Sequence, residues 1–481
     1  MYKRRMRFFR SACLLCVVFA CALAAPSSLL HAQTAASLSQ DELVKIEAAV
    51  TGILRTQDVP SAVVGIVRQG EVVYAKAFGD AQLTPRVPAT TEMPYGIGSV
   101  SKQFTAAAVM VLVERGKLRL DDPVATWFPE LKHAQQVTLR QLLNHVSGYS
   151  DYYTEDFLTP ELAAATDPYA LVKRWTDKPL DFQPGTKWQY SNTNYVLASL
   201  IVQKVAGVPF FQFLSEHVLA PAGLLGVVNL DGPDVPPVPK NYAHFAMGPA
   251  RETPREGKGT LAGAGQLAMP IGQLALWDTV VLHRSKVLQP ASWQVLQAEA
   301  SLPDGTATGY GMGYFLAAHD GLRTIGHSGG LNGFTTLNNL YPDRDAAIAV
   351  VVNGDGGSGA ILHAVEEIVF APKAPAPPAS NATGERLVRT ALAQLQHGSI
   401  DRVLINDTLA FYFTPRVLQD FQASLLPVGA ITRLELVRSE ERGGMTGLTY
   451  RITGSSGTAP IVFVYVTTDG KLDQVLVSKA Q

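Results

Sequence analysis

Apolar residues recur along the chain with two different periods, which predict where helices and strands lie. Residues 40–55 predict an amphipathic helix, because their apolar positions follow helical spacing: Leu43, Ile46, Val50 and Leu54. Residues 61–68 and 71–78 are apolar and β-branched, and Gln69-Gly70 between them is typical of a hairpin turn. The chain therefore opens its folded part with a helix and a β-hairpin.

The middle of the chain predicts helices, and strands return only near residue 350. We expect helices at 99–115, ended by Gly116, at 137–144, capped by Thr138, and at 194–206, ended by Gly207. Strands at 322–325 and 347–352 flank a segment rich in glycine and asparagine. This order predicts an α/β fold (an α+β sandwich), in which one antiparallel sheet, closed by distant segments, is flanked by helices.

A proline- and alanine-rich segment at 371–382 predicts a linker between two domains. The larger domain would span 40–370. Residues 383–481 predict a small α+β domain of unassigned role, with a helix at 385–396 and strands at 410–413, 432–437, 449–453, 461–467 and 472–477.

The N-terminus predicts a signal peptide at 1–32 and hence a periplasmic or secreted protein. A basic start is followed by an apolar run at 12–25, too short for a membrane span. Cleavage near Ala22-Leu23-Ala24, an uncleaved anchor and lipidation at Cys21 are the alternatives. All three cysteines lie in this segment, so the mature chain would form no disulfides, and no later membrane span is expected.

Charge and histidine spacing exclude several functions. The chain has 40 basic and 41 acidic residues, a balance that argues against a nucleic-acid partner. The histidines show no paired metal-ligand spacing, and there is no His-Glu-x-x-His, so no metal or other cofactor is expected. The expected partner is a small-molecule or peptide substrate, and the oligomeric state stays open.

Ser99 and Lys102 form a candidate nucleophile and base. A serine hydroxyl needs a neighbouring base at neutral pH, and a lysine three residues on lies on the same helix face. Removal of the lysine from water lowers its pKa and lets it accept a proton. Such a base predicts activity that rises through mildly alkaline pH.

Two further motifs carry polar side chains suited to the same reaction. Tyr190 can relay a proton, and Asn192, two residues on in the loop before a helix, can both donate and accept hydrogen bonds. His327-Ser328-Gly329 lies at the end of a strand.

Ser328 also fits a nucleophile elbow, Gly326-x-Ser328-x-Gly330, with Asp355 and His363 downstream in the required order. An elbow must lead from a strand into a helix. Asn332-Gly333 instead predicts a turn into a second strand.

Ser-x-x-Lys, Tyr-x-Asn and His-Ser-Gly in this order resemble the serine β-lactamase and penicillin-binding-protein superfamily. The closest resemblance is to the branch of class C β-lactamases, D-alanyl-D-alanine carboxypeptidases, D-aminopeptidases and β-lactamase-fold esterases. The resemblance covers about 44–370 and includes residues 142–148 and 309–313. Segment 261–268, which we expect at a helix start, departs from the usual pattern.

The resemblance implies a β-lactamase/transpeptidase-like fold and a role for each matching residue. Ser99 would form an acyl-enzyme, Lys102 would help to deprotonate it, and Tyr190 would carry the proton to the leaving group. Asn192 and the strand residues His327, Ser328 and Gly329 would bind substrate, and the backbone N–H groups of Ser99 and Gly330 would form the oxyanion hole.

The same resemblance leaves the reaction open among several classes. Histidine at 327 replaces the lysine of β-lactamases, which favours a peptidase, carboxypeptidase or esterase over a true β-lactamase. A non-catalytic penicillin-binding or sensor protein is the alternative of another class.

Overall fold

The computed structural model describes residues 37–155, 157–319, 322–370, 382–442, 444–457 and 459–479. The predicted signal peptide and all of the predicted linker except Ala382 lie outside the described residues, and Ala382 belongs to a helix. Residues from Leu38 onward form one compact unit.

The described strands, numbered in chain order, are Ser61–Arg68 (β1), Glu71–Gln82 (β2), Val87–Pro88 (β3), Tyr95–Gly96 (β4), Val228–Asn229 (β5), Tyr242–Ala243 (β6), Arg251–Glu252 (β7), Leu267–Met269 (β8), Phe315–His319 (β9), Leu322–Leu331 (β10), Phe334–Tyr341 (β11), Ala346–Val352 (β12), Ile431–Arg442 (β13), Met445–Gly454 (β14), Ile461–Val466 (β15) and Leu472–Ser478 (β16).

The described α-helices are Gln40–Gln57 (α1), Ser101–Glu114 (α2), Leu139–Leu143 (α3), Pro160–Ala163 (α4), Pro168–Thr176 (α5), Asn192–Ala206 (α6), Phe210–Leu214 (α7), Ala220–Ala222 (α8), Ile271–Leu282 (α9), Pro290–Leu296 (α10), Ser358–Phe370 (α11), Ala382–Leu395 (α12), Asp407–Tyr412 (α13) and Pro415–Leu425 (α14). A 3₁₀ turn at Gly98–Val100 leads directly into α2.

A seven-stranded antiparallel sheet joins the two ends of the larger part of the chain. Its order is β3-β2-β1-β12-β11-β10-β9, so β1 near the N-terminus pairs with β12, which arrives about 290 residues later (Ala62 with Val352). The predicted sandwich with an antiparallel sheet closed by distant segments is therefore confirmed.

Alternation along β1 places two separate cores on the two faces of this sheet. Val64 and Ile66 pack in the core that holds α1 and α11, whereas Val63 and Val67 belong to the larger core of the helical block. Gly65 allows α9 to lie directly on the strand, since a Cβ there would come within 3.1 Å of Ile271. The central strands are buried on both faces, which explains their continuous apolar runs.

The C-terminal module, defined here as the described residues from 382 to 479, has its own four-stranded sheet in the order β13-β14-β15-β16. Its core lies between this sheet and α12, α13 and α14, and Phe157 from the larger part of the chain belongs to the same core. Phe157 meets Tyr412 at a ring separation of 4.7 Å, and Arg251 pairs with Asp420 at 2.8 Å. The module therefore packs firmly against the rest of the unit.

The predicted local structure is wrong at 410–413 and at 261–268. Residues 410–412 belong to α13 rather than to a strand, and Phe413 is the C-cap of this helix, because the Asn406 side chain caps its start by accepting a hydrogen bond from the Leu409 N–H. The segment at 261–268 is not a helix start. It forms turns that lead into β8.

Within the described part of the chain, no single helix is long and apolar enough to cross a membrane. Two successive helical segments are long and apolar enough only when they are taken together, namely Asn192–Ala206 and Phe210–Ala222, and the chain bends by 80° between them.

We expect Leu392→Ala to lower the free energy of unfolding by about 2–5 kcal/mol, since it would leave a cavity in the core of the C-terminal module. Leu392 is fully buried. Val403→Ala is the matched control, because Val403 is 75 % exposed, and its cost should stay below about 0.5 kcal/mol. Urea unfolding measures both, and equal costs would contradict the assignment of Leu392 to a packed core.

Candidate active site

Ser99 lies in the 3₁₀ turn that opens the central buried helix α2. Almost every residue of α2 is buried, and Phe104 stacks on Trp277 at 4.2 Å. Ser101 accepts a hydrogen bond from the Leu267 N–H at 3.1 Å, which ties the start of the helix to β8. Ser99, the candidate nucleophile, therefore lies at the N-terminal end of a helix whose position is fixed by its packing in the core.

The amino group of Lys102 is surrounded by three oxygen atoms. Its Nζ lies 2.9 Å from Ser99 Oγ, 2.7 Å from Asn192 Oδ1 and 2.8 Å from the carbonyl oxygen of Ala264. The last two atoms can only accept hydrogen bonds. A neutral amine that donates to both turns its lone pair toward Ser99, which is the arrangement needed to take the serine proton.

Burial favours that neutral form. Lys102 is completely buried, and its removal from water lowers its pKa well below the usual lysine value, an effect that the Arg442 charge reinforces and the Asp151 charge opposes. The side chain also packs between aromatic faces, with Nζ at 4.9 Å from the Tyr190 ring centroid and 5.5 Å from that of Tyr195.

Tyr190 lies beside the same pair. Burial raises the pKa of its hydroxyl, although a hydrogen bond with Ser99 acts in the opposite direction. The phenol therefore keeps its proton at neutral pH and can supply it to a group bound at Ser99. His145 packs behind the Tyr190 ring at 4.4 Å, and burial lowers the pKa of His145, so this histidine is an uncharged support.

Asn192 is the first residue of α6 rather than a loop residue, with Ser191 at the N-cap. Its two amide atoms face opposite ways. Oδ1 accepts from Lys102, and Nδ2 donates to Asp151 Oδ1 at 3.1 Å. Asn192 thus connects the candidate base to a buried carboxylate and also lines the cavity above Ser99.

His327 lies within β10, buried and uncharged. Burial, with a further contribution from Lys102, lowers its pKa to about 3. Nδ1 lies 2.5 Å from the carbonyl oxygen of Ser328, so it carries the proton and donates, and Nε2 accepts from the Tyr310 hydroxyl at 3.0 Å. In the β-lactamases that the sequence resembles, a lysine stands in place of this histidine. His327 offers no fixed positive charge at this position.

Glycines bring β10 against the Ser99 turn. A Cβ on Gly329 would lie 2.0 Å from the carbonyl oxygen of Ile97, and one on Gly98 would lie 2.8 Å from the Gly330 nitrogen. Gly98 also has φ +49°, which favours glycine. The Gly330 backbone therefore lies next to the Ser99 turn, where the predicted oxyanion hole requires it.

The nucleophile-elbow interpretation of Ser328 is contradicted by its setting. β10 continues to Leu331 and turns directly into β11, so no helix follows the serine. Asp355 hydrogen-bonds to His244 at 2.6 Å, and His363 lies on α11 beside Glu366. The required strand–helix context is missing from this part of the structure.

Three partners of the site were missed in the sequence. Asp151 follows the family-like stretch 142–148, a position that could have marked it. The backbone carbonyl of Ala264 and the side chain of Arg442 have no sequence signal, because their roles depend on contacts between distant segments.

Three tyrosines lie near Asp151 in the sequence. Tyr152 and Tyr153 line the cavity, whereas Tyr149 is buried and donates a hydrogen bond to the Lys132 carbonyl.

A cavity of about 1080 Å³ opens over Ser99 and is shared by both parts of the chain. Near the serine it is lined by polar side chains together with the apolar rings of Trp188 and Phe315. The C-terminal module adds charged side chains such as Arg438 and Glu440 and a group of mostly apolar ones, namely Phe411, Tyr412, Ile461, Phe463 and Leu476. Its size and its few convergent polar groups are typical of a small-molecule site.

The structure combines an antiparallel sheet flanked by helices with a Ser-x-x-Lys motif at a helix start beside β10. This combination defines the β-lactamase and penicillin-binding-protein class of folds. Comparison with known proteins agrees. The family model described as Beta-lactamase matches residues 46–368, and the chain belongs to this family.

Two relatives match the chain over more residues than the family model does. Penicillin-binding protein 4* of Bacillus subtilis is 28 % identical over 395 residues, covering 77 % of this chain and 84 % of its own. A D-aminopeptidase of Brucella anthropi is 26 % identical over 337 residues, covering 69 % and 64 %.

A solved structure also covers most of the C-terminal module. The octameric penicillin-binding protein homologue from Pyrococcus abyssi has a TM-score of 0.60 and 22 % identity, and the match covers 91 % of this chain and 98 % of that one. At 22 % identity, this similarity is evidence for a shared fold alone.

We expect Gly98→Ala to destabilise the protein more than Gly116→Ala. Both glycines have positive φ, which costs an alanine about 1–2 kcal/mol, but only the Gly98 site adds a clash, because nothing lies within 4 Å of the Gly116 position. Urea unfolding of the two variants compares them. Equal losses would mean that the Gly98–Gly330 contact contributes nothing to the fold.

Proposed function

We propose that the chain is an exported serine hydrolase that forms an acyl-enzyme at Ser99 and acts on a small amide or ester. The observation that carries this proposal is the buried Lys102 amine 2.9 Å from Ser99 Oγ, with its other two neighbours restricted to accepting hydrogen bonds. Desolvation lowers the pKa of a lysine held in this way and makes it a better proton acceptor for the serine.

The proposed reaction follows from this arrangement. Ser99 Oγ attacks the carbonyl carbon of the substrate and gives its proton to Lys102, while the N–H groups of Ser99 and Gly330 bind the developing oxyanion. Tyr190 then protonates the leaving amine or alcohol as the acyl–nitrogen or acyl–oxygen bond breaks, and it regains a proton from Lys102. A water molecule next gives a proton to Lys102 and attacks the acyl carbon. Lys102 returns this proton to Ser99 Oγ as the ester bond breaks, which releases the acid and restores Ser99. Each oxyanion donor would contribute about 3–4 kcal/mol of transition-state stabilisation.

Derivatives of D-amino acids are the first substrates to consider. The name of the Brucella relative, D-aminopeptidase, supports this choice. Since His327 is uncharged, the site favours substrates with a neutral amide or ester end over those that present a free carboxylate, as carboxypeptidase substrates and β-lactams do. The apolar side chains from the C-terminal module suit a bulky apolar substituent on the substrate.

Export is proposed from the sequence alone. The basic N-terminus and the apolar run at 12–25 support a periplasmic or secreted location. This location would give the protein access to D-peptides of the kind found in cell walls.

We expect a fluorophosphonate or penicillin to add one adduct to the wild-type protein and none to Ser99→Ala, measured by intact-mass spectrometry. Ser328→Ala tests the rejected elbow: it should still take one adduct, because loss of a substrate-binding serine can slow the labelling but does not remove the nucleophile. Equal labelling of wild type and Ser99→Ala, or no adduct on either, would overturn the assignment of the nucleophile.

Turnover of a substrate panel distinguishes the remaining reactions. We expect hydrolysis of D-amino-acid amides or p-nitrophenyl esters to exceed that of nitrocefin, because His327 supplies no fixed cation for the β-lactam carboxylate. L-amino-acid amides with the same side chains control for chirality. Faster nitrocefin hydrolysis would indicate a true β-lactamase, and a stable penicillin adduct without any turnover would indicate a binding or sensor protein.

A further inference from the structure

Arg442, the last residue of β13, reaches from the C-terminal module into the candidate active site. Its Nε donates to Asp151 Oδ2 at 3.0 Å, and its Nη2 donates to the Tyr153 carbonyl oxygen. Its guanidinium lies 5.3 Å from the centre of the Tyr190 ring, and its backbone forms a parallel bridge with Tyr190. This contact joins residues that are 291 positions apart in the chain.

The partner of Arg442 is a carboxylate with no access to solvent. The side chain of Asp151 is 0 % exposed, whereas that of Arg442 is 21 % exposed. A buried carboxylate is costly unless a cation and hydrogen-bond donors compensate it. Arg442 supplies the cation, and the backbone N–H groups of Tyr153 and Asn192 supply donors at 3.1 and 2.9 Å.

Asp151 determines which way the Asn192 amide points. A carboxylate can only accept hydrogen bonds, so it holds the Nδ2 group of Asn192 and leaves Oδ1 facing Lys102. Nδ2 also donates to the Tyr153 carbonyl oxygen at 3.3 Å. A neutral side chain at 151 would leave the amide held mainly by this longer contact and would weaken its orientation. If the amide turned over, the NH₂ group of Asn192 would face the Lys102 amine, and the hydrogen bond that now orients this amine would be lost.

We propose that Arg442 is a positioning residue of the active site, which completes it from the C-terminal module by holding Asp151 and the Tyr153 carbonyl, the two acceptors that keep Asn192 oriented toward Lys102. This inference rests on the proposed function, since it assigns Arg442 to the same Ser99–Lys102 chemistry. It also gives the C-terminal module a role in that chemistry.

The groups around Lys102 determine how a loss of Arg442 would be observed. Asp151 and Arg442 are the charged groups identified as acting on Lys102, in opposite directions. His145 and His327 are uncharged near neutral pH, because burial lowers the pKa of each, and Tyr190 and Tyr195 keep their protons, because burial raises theirs. Without Arg442, the Asp151 charge would act uncompensated, and the pKa of Lys102 would rise.

The experiment measures the second-order rate of fluorophosphonate labelling from pH 5 to pH 9 by intact-mass spectrometry. For Arg442→Gln we expect a fall of about tenfold or more at pH 7, with the acid-side midpoint moved to higher pH. Asp151→Asn should also label slowly, but with its midpoint moved to lower pH, because it removes the anion that favours protonated Lys102.

Two arginine variants serve as controls. Arg442→Lys keeps the charge, so its midpoint should stay close to that of the wild type while its rate falls with the loss of the planar fork. Arg433→Gln changes an exposed arginine on the same strand and should alter neither quantity. Thermal unfolding of each variant identifies those that fold.

The outcomes separate this inference from the proposed function. A wild-type protein that takes no label would mean that the proposed function itself fails. If the wild type labels normally and the pH midpoint of labelling is unchanged in Arg442→Gln, only the role of Arg442 is overturned. This holds even if the labelling rate falls, because a merely structural role lowers the rate without moving the midpoint. If Arg442→Gln does not fold, an Asp151→Asn midpoint that fails to move downward overturns it instead.

Discussion

The structure depends on one constraint, the burial of the Lys102 amino group in a place where water cannot reach it. A lone ammonium in such a position would be strongly unfavourable, so the site must either neutralise it or surround it with acceptors. Desolvation lowers the pKa of Lys102, which favours the neutral amine, and two fixed acceptors, Asn192 Oδ1 and the Ala264 carbonyl, orient it. Ser99 is left as its third neighbour.

The elements around this amine are arranged by what it requires. Helix α2 is buried along almost its whole length, so the Ser99 turn is held at a fixed place against β10. Gly98 and Gly329 permit that approach, because any side chain there would meet backbone atoms. Helix α6 begins at Asn192, where its first turn presents the amide to Lys102 on one side and to Asp151 on the other.

Much of the fold follows from local patterns in the sequence. The cap at Thr138, for example, forms as predicted, with Gln141 returning the hydrogen bond, because a capping box needs only four consecutive residues. The error at 410–413 has the opposite cause. A short apolar run fits either a strand or a helix, and the deciding features were the Asn406 cap and the packing of Leu409 in the core of the C-terminal module.

The sequence by itself determined the family and fold and which residues to consider as nucleophile and base, because Ser99 and Lys102 are one helical turn apart and local geometry alone brings them together. It also determined that a strand and not an elbow carries Ser328. Only the tertiary structure decided that burial lowers the pKa of Lys102, that His327 is neutral, and that Asp151 and Arg442 belong to the site. These properties arise from burial and from contacts across 291 residues, which no local spacing encodes.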